Sequence, residues 1–411
     1  MLILSHPTGN AYTRHTALAL WEAELLQEFW TAISWNPDSA AARFLPGKLQ
    51  RQFARRTYLP QIREKAHLHP WREVGRLLAP TLGLRGLTRH ESGYFSIDAV
   101  FRSLDRRVAK RLSQVEGIRG VWAHEDGACD TFRSARQRGM KCFYDLPIGH
   151  WRAGHAIYGE EKEREPQWAA TLTGMLDSPE KLARKDEELR LADAVFVASS
   201  FTRSTLQGVP ELTAPVYTAP YGAPSPSEAP PAQKSGSSRL RVIFVGSLSQ
   251  RKGLSYLLDA VQMLRDHVEL TLIGLKTGAE CAPLEAALRE HRWIGSLPHA
   301  EILREMQQHD VLVFPSLFEG FGLVITEAMS QGLPVITTSH TAGPDVISDE
   351  QDGFIVPVRS AQAIAQKLEL LITQPEVLHA MKMAAWQKAA TCSWETFRST
   401  QARAVKEELQ K

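Results

Sequence analysis

The sequence predicts an α/β protein built from two doubly wound, Rossmann-like domains, and three observations carry that prediction. Short apolar runs of strand length alternate with segments of helical periodicity, the pattern of parallel sheets that are covered on both faces. A segment in which Pro, Ser, Ala and Gly replace large apolar residues, 222–238, interrupts this alternation. The chain has 411 residues, a length that suits two domains better than one.

The predicted elements fall on either side of this Pro-rich segment. On its amino-terminal side, strands are expected at the apolar runs 1–4, 118–122, 142–144 and 194–198. On its carboxyl-terminal side, they are expected at 241–245, 270–273, 311–314 and 334–337. We therefore expect a first domain over residues 1–221, a linker over 222–239 and a second domain over 240–392. Because open parallel sheets bind ligands at the carboxyl ends of their strands, the two domains should face each other across a binding cleft.

The charges are nearly balanced overall, with 48 Lys and Arg against 46 Asp and Glu, which gives no global electrostatic reason to bind nucleic acid. Their distribution is uneven, because residues 43–111 hold 16 basic residues against five acidic ones. Within this stretch Arg51 and Arg56 accompany Tyr58 and Ile62, a mixture that suits an anionic membrane surface or a diphosphate-bearing lipid acceptor. A solvated helical face is the alternative interpretation.

The cysteines and the hydropathy indicate a cytoplasmic protein. The four cysteines are scattered without a C-x-x-C pair or a metal-ligand spacing, so free thiols in a reducing compartment are expected. No apolar stretch approaches the ~18 residues of a membrane span, and no signal peptide follows Met1. Peripheral association with the inner face of a membrane stays open as an alternative. We expect no metal and no cofactor.

The most informative segment follows the predicted strand 311–314. Two glycines, Gly320 and Gly322, would let backbone amides approach an anion closely, and a helix that begins near Phe321 would add its amino-terminal dipole. Glu319 before the helix and Glu327 within it could both project into one cleft, where carboxylates accept hydrogen bonds from vicinal hydroxyls. A loop that binds phosphates between two such acceptors suits a sugar nucleotide. The alternative interpretation is that both glutamates are solvated surface charges.

These residues carry a family resemblance. The run 319–335, EGFGLVITEAMSQGLPV, resembles the E-x7-E segment of family-4 glycosyltransferases, which are retaining enzymes of the GT-B fold that use nucleotide sugars. The resemblance implies that Glu319 contacts the donor sugar and that Glu327 contacts the ribose. It further implies donor contacts by the amides of the loop and the start of the helix, at Gly320, Phe321, Gly322 and Leu323.

A second matching segment precedes this one. Residues 245–253, VGSLSQRKG, resemble the family's glycine loop and lysine, which implies donor contacts by Gly246 and a diphosphate ligand at Lys252. The family often has Arg directly after this glycine, whereas this chain has Ser247. Arg251 is therefore a hypothetical replacement for the missing guanidinium, although it need not point in the same direction as its neighbour.

The resemblance is thinner in the first domain. After the first strand, Gly9 matches a family Gly-Gly loop and Asn10 does not, so both are assigned to an amino-terminal loop near the donor or the acceptor. His124 follows the strand 118–122 and matches the cleft histidine of the family, where it could bind a sugar hydroxyl or receive its proton. His150 is the alternative. The final helix, within residues 393–411, is expected to cross back onto the first domain, as it does in the family.

The resemblance implies a retaining hexosyltransferase that moves a sugar from a nucleoside-diphosphate sugar to a hydroxyl of a glycan, a lipid or a small molecule. His124, Glu319 and Lys252 are its expected catalytic residues. The chain has no Asp-x-Asp, so metal-independent transfer is expected. A sugar-nucleotide 2-epimerase of the same fold and a catalytically degenerate sugar-nucleotide-binding protein remain as alternatives.

Overall fold

A computed structural model describes residues 1–37, 39, 53–54, 56–231, 239–277 and 280–411 of the chain. Two parts of the sequence predictions lie outside these residues. One is residues 43–52 and 55 of the basic stretch, which include Arg51, and the other is residues 232–238 of the Pro-rich segment.

The amino-terminal part of the chain forms a seven-stranded sheet in which every strand pair is parallel. Its spatial order is β3-β2-β1-β4-β5-β6-β7, the order of a doubly wound sheet. The strands are β1 Leu2–Ser5, β2 Leu26–Thr31, β3 Ala66–Leu68, β4 Gly120–His124, β5 Lys141–Leu146, β6 Ala194–Val197 and β7 Val216–Thr218.

Helices connect and cover these strands. They are α1 Ala11–Glu22, α2 Pro60–Arg63, α3 Trp71–Leu78, α4 Ile97–Arg111, α5 Cys129–Arg136, α6 Trp151–Arg164, α7 Pro179–Leu191 and α8 Ser200–Ser204. Polar side chains cap several of them, and the Ser96 hydroxyl, for example, accepts from the Ala99 amide at the start of α4. Short 3₁₀ turns cover Ala79–Leu82, Arg85–Thr88 and Pro166–Thr171.

The carboxyl-terminal part forms a second parallel sheet of six strands in the order β10-β9-β8-β11-β12-β13. Its strands are β8 Leu240–Val245, β9 Val268–Ile273, β10 Arg292–Ile294, β11 Val311–Phe314, β12 Val335–Thr338 and β13 Gly353–Val356. Its helices are α9 Leu254–Met263, α10 Ala282–Glu290, α11 His299–Gln307, α12 Leu323–Ser330, α13 Gly343–Val346, α14 Ala361–Thr373 and α15 Pro375–Ala389. A 3₁₀ turn, Gln250–Lys252, precedes α9.

The last helix, α16 Trp394–Gln410, returns to the first sheet, as expected. Its buried residues Val405 and Leu409 pack in one cluster with Leu2 and Leu4 of β1. Near the start of the helix, the backbone of Trp394 approaches Gly222 so closely that a Cβ on this glycine would lie 2.4 Å from the Trp394 nitrogen. The two doubly wound sheets and this crossing helix confirm the predicted fold class.

The strands that the sequence did not predict are short or carry a buried charge. Glu28 interrupts the apolar pattern of β2. Its side chain is buried, and its carboxylate accepts from Trp30 Nε1 at 2.8 Å and from Arg111 at 2.7 Å. β3 and β7 have three residues each, too few for an alternating pattern to be recognised.

The basic stretch does not present the surface that the sequence suggested. Tyr58 and Ile62 are buried in the core, and Arg56 is buried in an ion pair with Glu73, whose side chain is also buried. These three side chains therefore do not form the expected surface, because Tyr58 and Ile62 complete the first domain's core and Arg56 is paired with Glu73. Exposed apolar residues occur further along the stretch, as described below.

The four cysteines are free, and three of them are buried. Within the described ranges, no helix has both the length and the apolar character needed to cross a membrane.

Gly253 links the 3₁₀ turn to α9 and is predicted to tolerate no side chain. Its φ is +70°, and a Cβ there would lie 2.1 Å from the carbonyl oxygen of Pro315. Gly208 has nearly the same φ, +73°, with nothing within 4 Å of its Cβ position. Substitution of Gly208 therefore measures the cost of a positive φ without a steric clash. Gly208→Ala should cost about 1 kcal/mol and Gly253→Ala about 3 kcal/mol or more.

Urea unfolding of the two variants, compared with the unchanged protein, measures these differences. Equal shifts of the unfolding midpoint would mean that the approach of Gly253 to Pro315 is not the constraint that the geometry indicates.

Candidate functional site

Glu319 is the centre of the candidate site. It lies in the loop between β11 and α12, and its carboxylate is buried. The oxygen Oε1 accepts hydrogen bonds from Arg251 Nη1 at 3.0 Å and from Ser316 Oγ at 3.0 Å, and the ammonium of Lys252 donates to the same oxygen. One carboxylate oxygen therefore meets both cations of the 3₁₀ turn.

The electrostatics of this group follow from burial and proximity. Burial acts to raise the pKa of Glu319, but Lys252 and Arg251 outweigh it, and the pKa of the carboxyl is lowered. Burial also disfavours the ammonium of Lys252, and with the charge of Arg251 it outweighs the attraction of Glu319, so the pKa of Lys252 falls to about 8. The carboxylate is ionised at neutral pH, and Lys252 titrates close to that range.

The turn that carries the two cations is held against the loop that carries Glu319. The Arg251 carbonyl accepts from the Leu317 amide at 2.9 Å and from Ser316 Oγ at 3.1 Å. Arg251 and Lys252 consequently point in the same direction, towards Glu319. The sequence left the direction of Arg251 open, and the structure brings it beside its neighbour.

The predicted glycines lie around this group. Gly246 follows β8, and a Cβ on it would lie 3.7 Å from Cε of Lys252. Gly322 has φ +85° and forms the N-cap of α12, which begins at Leu323, two residues later than the sequence suggested. The first amides of α12 have no partners within the helix and carry the positive end of its dipole, so they can bind an anion.

Gly320 and the ring of Phe318 are covered by the first domain. A Cβ on Gly320 would lie 1.7 Å from the Pro147 carbonyl oxygen, so only glycine fits there. The Gly320 carbonyl accepts from the hydroxyl of Thr202 at 2.9 Å and from that of Ser199, both at the start of α8. Phe321 is buried as well. The loop of the candidate site therefore forms part of the interface between the two domains.

Glu327 has a different set of neighbours from Glu319. It lies in α12, is partly exposed, and its Oε1 is 2.9 Å from Nε2 of His299, the first residue of α11. This hydrogen bond raises the pKa of His299. The two glutamates thus flank the start of α12, and each is held by its own basic partner.

In the first domain, the amino-terminal loop after β1 is organised by Asn10 and His6. Asn10 caps α1 by accepting from the Thr13 amide at 2.8 Å, and its Nδ2 lies 3.4 Å from Nε2 of His6. Gly9 lies between them in the loop. His6 is buried, and burial together with His124 holds its pKa well below the usual range, so its ring is neutral.

His124 ends β4 beside this loop and is 2% exposed. Its Nδ1 lies 3.2 Å from the Ser5 carbonyl oxygen, which can only accept, so Nδ1 carries a proton. Its Nε2 lies 3.3 Å from Oδ2 of Asp145 without forming a hydrogen bond. The rings of His6 and His124 meet edge to face, with centroids 4.4 Å apart.

A row of aromatic rings connects this histidine pair to the loop of the second domain. Tyr12 lies 5.9 Å from His124 and stacks on Tyr221 at 5.1 Å, and Tyr221 contacts Phe321 at 5.0 Å, all between ring centroids. The structure thereby places the predicted residues of the first and second domains on one continuous seam. His150, the alternative histidine, is the N-cap of α6, and burial lowers its pKa to about 4.

Several polar residues of this seam were missed by the sequence analysis. Glu161 of α6 is fully buried and accepts from Gln250 at 2.7 Å, Tyr256 at 2.9 Å and Arg359 at 2.8 Å, all from the second domain. Nothing in the local pattern around Glu161 signals this, because its partners come from distant segments.

The sequence analysis also missed His6, Asp145 and His299. His6 follows β1 directly and Asp145 lies near the end of β5, so the rule that ligands bind at the carboxyl ends of strands could have found both. His299 opens a helix and has no such signal.

The sequence comparisons agree with this architecture. Residues 227–388 match the family model described as glycosyl transferases group 1. The chain is 32% identical over 153 residues to the amylovoran biosynthesis glycosyltransferase AmsK of Erwinia amylovora, a match that covers 33% of this chain and 37% of that protein. The chain thus aligns with well under half of the length of this relative.

Two solved structures share the fold over nearly the whole chain. Sucrose-phosphate synthase from Thermosynechococcus elongatus superposes with a TM-score of 0.70 at 17% identity, covering 99% of this chain and 98% of that one. Anabaena HepE in complex with UDP and glucose superposes with a TM-score of 0.61 at 16% identity, covering 99% of each chain. The chain therefore has the GT-B fold, and its second domain resembles the glycosyl transferases group 1 family over the matched residues.

Proposed function

We propose that the protein is a retaining glycosyltransferase that moves a sugar from a nucleoside-diphosphate sugar to an acceptor hydroxyl in polysaccharide or glycoconjugate biosynthesis. The observation that carries the proposal is the meeting of Lys252 and Arg251 at Glu319, beside the start of α12. Two cations and the amides of a helix start suit a diphosphate, and an adjacent carboxylate suits sugar hydroxyls. The group 1 family match and the UDP and glucose bound by HepE support the same class of donor.

The leaving diphosphate gains negative charge as the bond to the sugar breaks. In the proposed mechanism Lys252 and Arg251 stabilise that charge, and the amino-terminal dipole of α12 contributes to the same effect. Both cations are positioned before the donor arrives, because Glu319 and the carbonyl contacts of the turn hold them. This preorganisation avoids the free-energy cost of orienting the cations during the reaction.

The remaining contacts are assigned by chemistry and by family resemblance. Glu319 accepts from hydroxyls of the transferred sugar, and Glu327, oriented by His299, accepts from the ribose hydroxyls. His124 is the first-domain residue that contacts the reacting sugar. Its Nε2 is the nitrogen available for this contact, because Nδ1 donates to the Ser5 carbonyl oxygen. Attack on the same face as the departing phosphate would give retention.

We further propose that transfer needs no divalent metal. The chain contains no Asp-x-Asp, the motif by which other glycosyltransferases hold a metal on the diphosphate. Lys252, Arg251 and the start of α12 supply positive charge in that place. The proposed acceptor is a hydroxyl of a glycan, a lipid or a small molecule.

Removal of one cation should impair the transfer step strongly. Lys252→Ala should lower kcat/KM for the donor by about 10²-fold to 10³-fold, because one charged hydrogen-bond donor to the leaving group is lost. Lys367→Ala is the matched control, since this lysine pairs with exposed Glu350 at the surface, and it should leave the rate unchanged.

The donor for this assay is identified first, by the increase in the unfolding temperature with UDP, GDP, ADP and their sugars. Unchanged donor affinity and turnover in Lys252→Ala would remove the basis of the proposal. Conversion of the donor in the absence of any acceptor would indicate an epimerase instead.

The lowered pKa of Lys252 predicts a pH dependence. Below about pH 8 its ammonium form predominates and can bind the diphosphate, whereas above that pH the neutral amine predominates. Donor kcat/KM should therefore fall as the pH rises through about 8. Lys252→Arg should remove this inflection, because a guanidinium stays protonated throughout the range. An identical alkaline limb in both proteins would assign the titration to another group.

Chelation tests the metal independence directly. After dialysis against EDTA, the transfer rate should equal that of the untreated protein, and added Mg²⁺ or Mn²⁺ should not change it. A loss of transfer that either cation restores would contradict this prediction.

A further inference from the structure

The strongest exposed apolar surface lies in the first domain, after the edge strand β3. Between Leu82 and Leu87 every residue is exposed, and three of the six are leucines. Leu82 is 69% exposed, Leu84 52% and Leu87 36%. We call these three residues the leucine knob. Large apolar side chains in such a group are unusual at a protein surface and indicate an interaction site.

The leucine knob is held in place by its surroundings. The Phe95 amide donates to the Leu87 carbonyl at 2.7 Å, which closes the segment on itself. Glu91 accepts from the Ser178 amide at 2.9 Å and from its hydroxyl at 2.6 Å, which ties the segment to the start of α7. The leucines are therefore displayed by a braced segment, with Leu82 the most exposed of the three and Leu87 the least.

Aromatic residues next to the knob have the arrangement of an interfacial anchor. Trp71 and Tyr94 are both exposed, and the guanidinium carbon of Arg72 lies 4.4 Å from the centroid of each ring. Aromatic rings that combine an apolar body with a polar edge, stacked on a cation, suit the boundary between lipid headgroups and acyl chains.

Basic residues outnumber acidic ones around the knob. From residue 74 to residue 90 the chain has three arginines and no acidic residue. Arg76 pairs with Glu73, whereas Arg85 and Arg89 are exposed within the segment. A groove of about 690 Å³ beside Trp71 is lined by further cations, which include Arg106, Arg107 and Lys110, and by one acidic residue, Asp130. The complementary partner is an anionic surface with an apolar interior.

We propose that this face docks the protein on an anionic lipid bilayer, with the leucine knob inserted among the acyl chains and the arginines at the headgroups. A bilayer provides an apolar interior that can take up the exposed leucines, and the excess of basic residues supplies attraction to anionic lipid. The face follows the carboxyl end of β3 in the chain. Ligands of this fold bind beyond the carboxyl ends of the strands. Docking there brings the cleft to the membrane surface.

This inference also concerns the acceptor, and that part rests on the proposed function. A transferase held in this orientation would take an acceptor that the bilayer carries, so the acceptor hydroxyl would belong to a lipid-anchored molecule. The docking itself does not depend on catalysis and is measured separately.

Sedimentation with vesicles tests the docking with the full chain. Vesicles of phosphatidylcholine containing 30% phosphatidylglycerol, about a third anionic lipid, should bind the protein, and pure phosphatidylcholine should bind it much more weakly. The variant Leu82→Ser/Leu84→Ser/Leu87→Ser should lose more than about tenfold in partitioning, because the three leucine side chains that insert among the acyl chains are lost. Arg85→Glu/Arg89→Glu should lose at least about fivefold for each arginine.

The matched control is Met263→Ser/Leu275→Ser, which removes two exposed apolar side chains outside this face. It should sediment as the unchanged protein does. Circular dichroism and the unfolding temperature establish that each variant is folded.

Two results would overturn the inference. One is equal vesicle binding by the unchanged protein and the leucine variant. The other is a concentration-dependent dimer that the leucine variant abolishes, which would make the knob a protein interface. Stabilisation by nucleotide is recorded for every variant, so a protein that binds vesicles without binding any nucleotide would refute the proposed function and leave the docking intact.

Discussion

The buried carboxylate of Glu319 is the constraint on which the rest of the site depends. An ionised carboxylate inside a protein is costly unless charged and hydrogen-bonding partners surround it, and here Lys252, Arg251 and Ser316 all meet one oxygen. This requirement fixes the turn after β8 against the loop after β11. A diphosphate bound beside the two cations would share them with Glu319, so donor binding and the electrostatics of this carboxylate are linked.

The same turn is also tied to the first domain. Gln250, next to Arg251, donates to buried Glu161 of α6, and Tyr256 and Arg359 donate to the same carboxylate. On the other side of the site, Gly320 lies against Pro147 with room for no side chain. The positions of the two cations and of the glycine loop therefore depend on how the two domains meet, which gives the contact between domains a direct influence on the site.

Two segments of similar composition differ in how deeply their apolar side chains are buried. Residues 56–62 and 71–97 both mix arginines with aromatic and aliphatic residues, yet Tyr58 and Ile62 complete the core whereas Leu82 and Leu84 are exposed. Composition and charge counting identified residues 43–111 as unusual but did not distinguish their buried apolar residues from their exposed ones. Only the packing of α2 against the first sheet shows which apolar residues are already used, and this packing depends on contacts with distant segments.

By itself, the sequence determined the two parallel sheets and the glycine loop with Glu319 after β11, because strand alternation, helix periodicity and glycine loops are local signals. Lys252 was selected by the family resemblance rather than by such a signal. The tertiary structure alone decided that Arg251 points with Lys252, that His299 holds Glu327 and that Glu161 joins the domains. Those pairings link residues 28 to 198 positions apart, and no local pattern records which distant side chain will satisfy a buried charge.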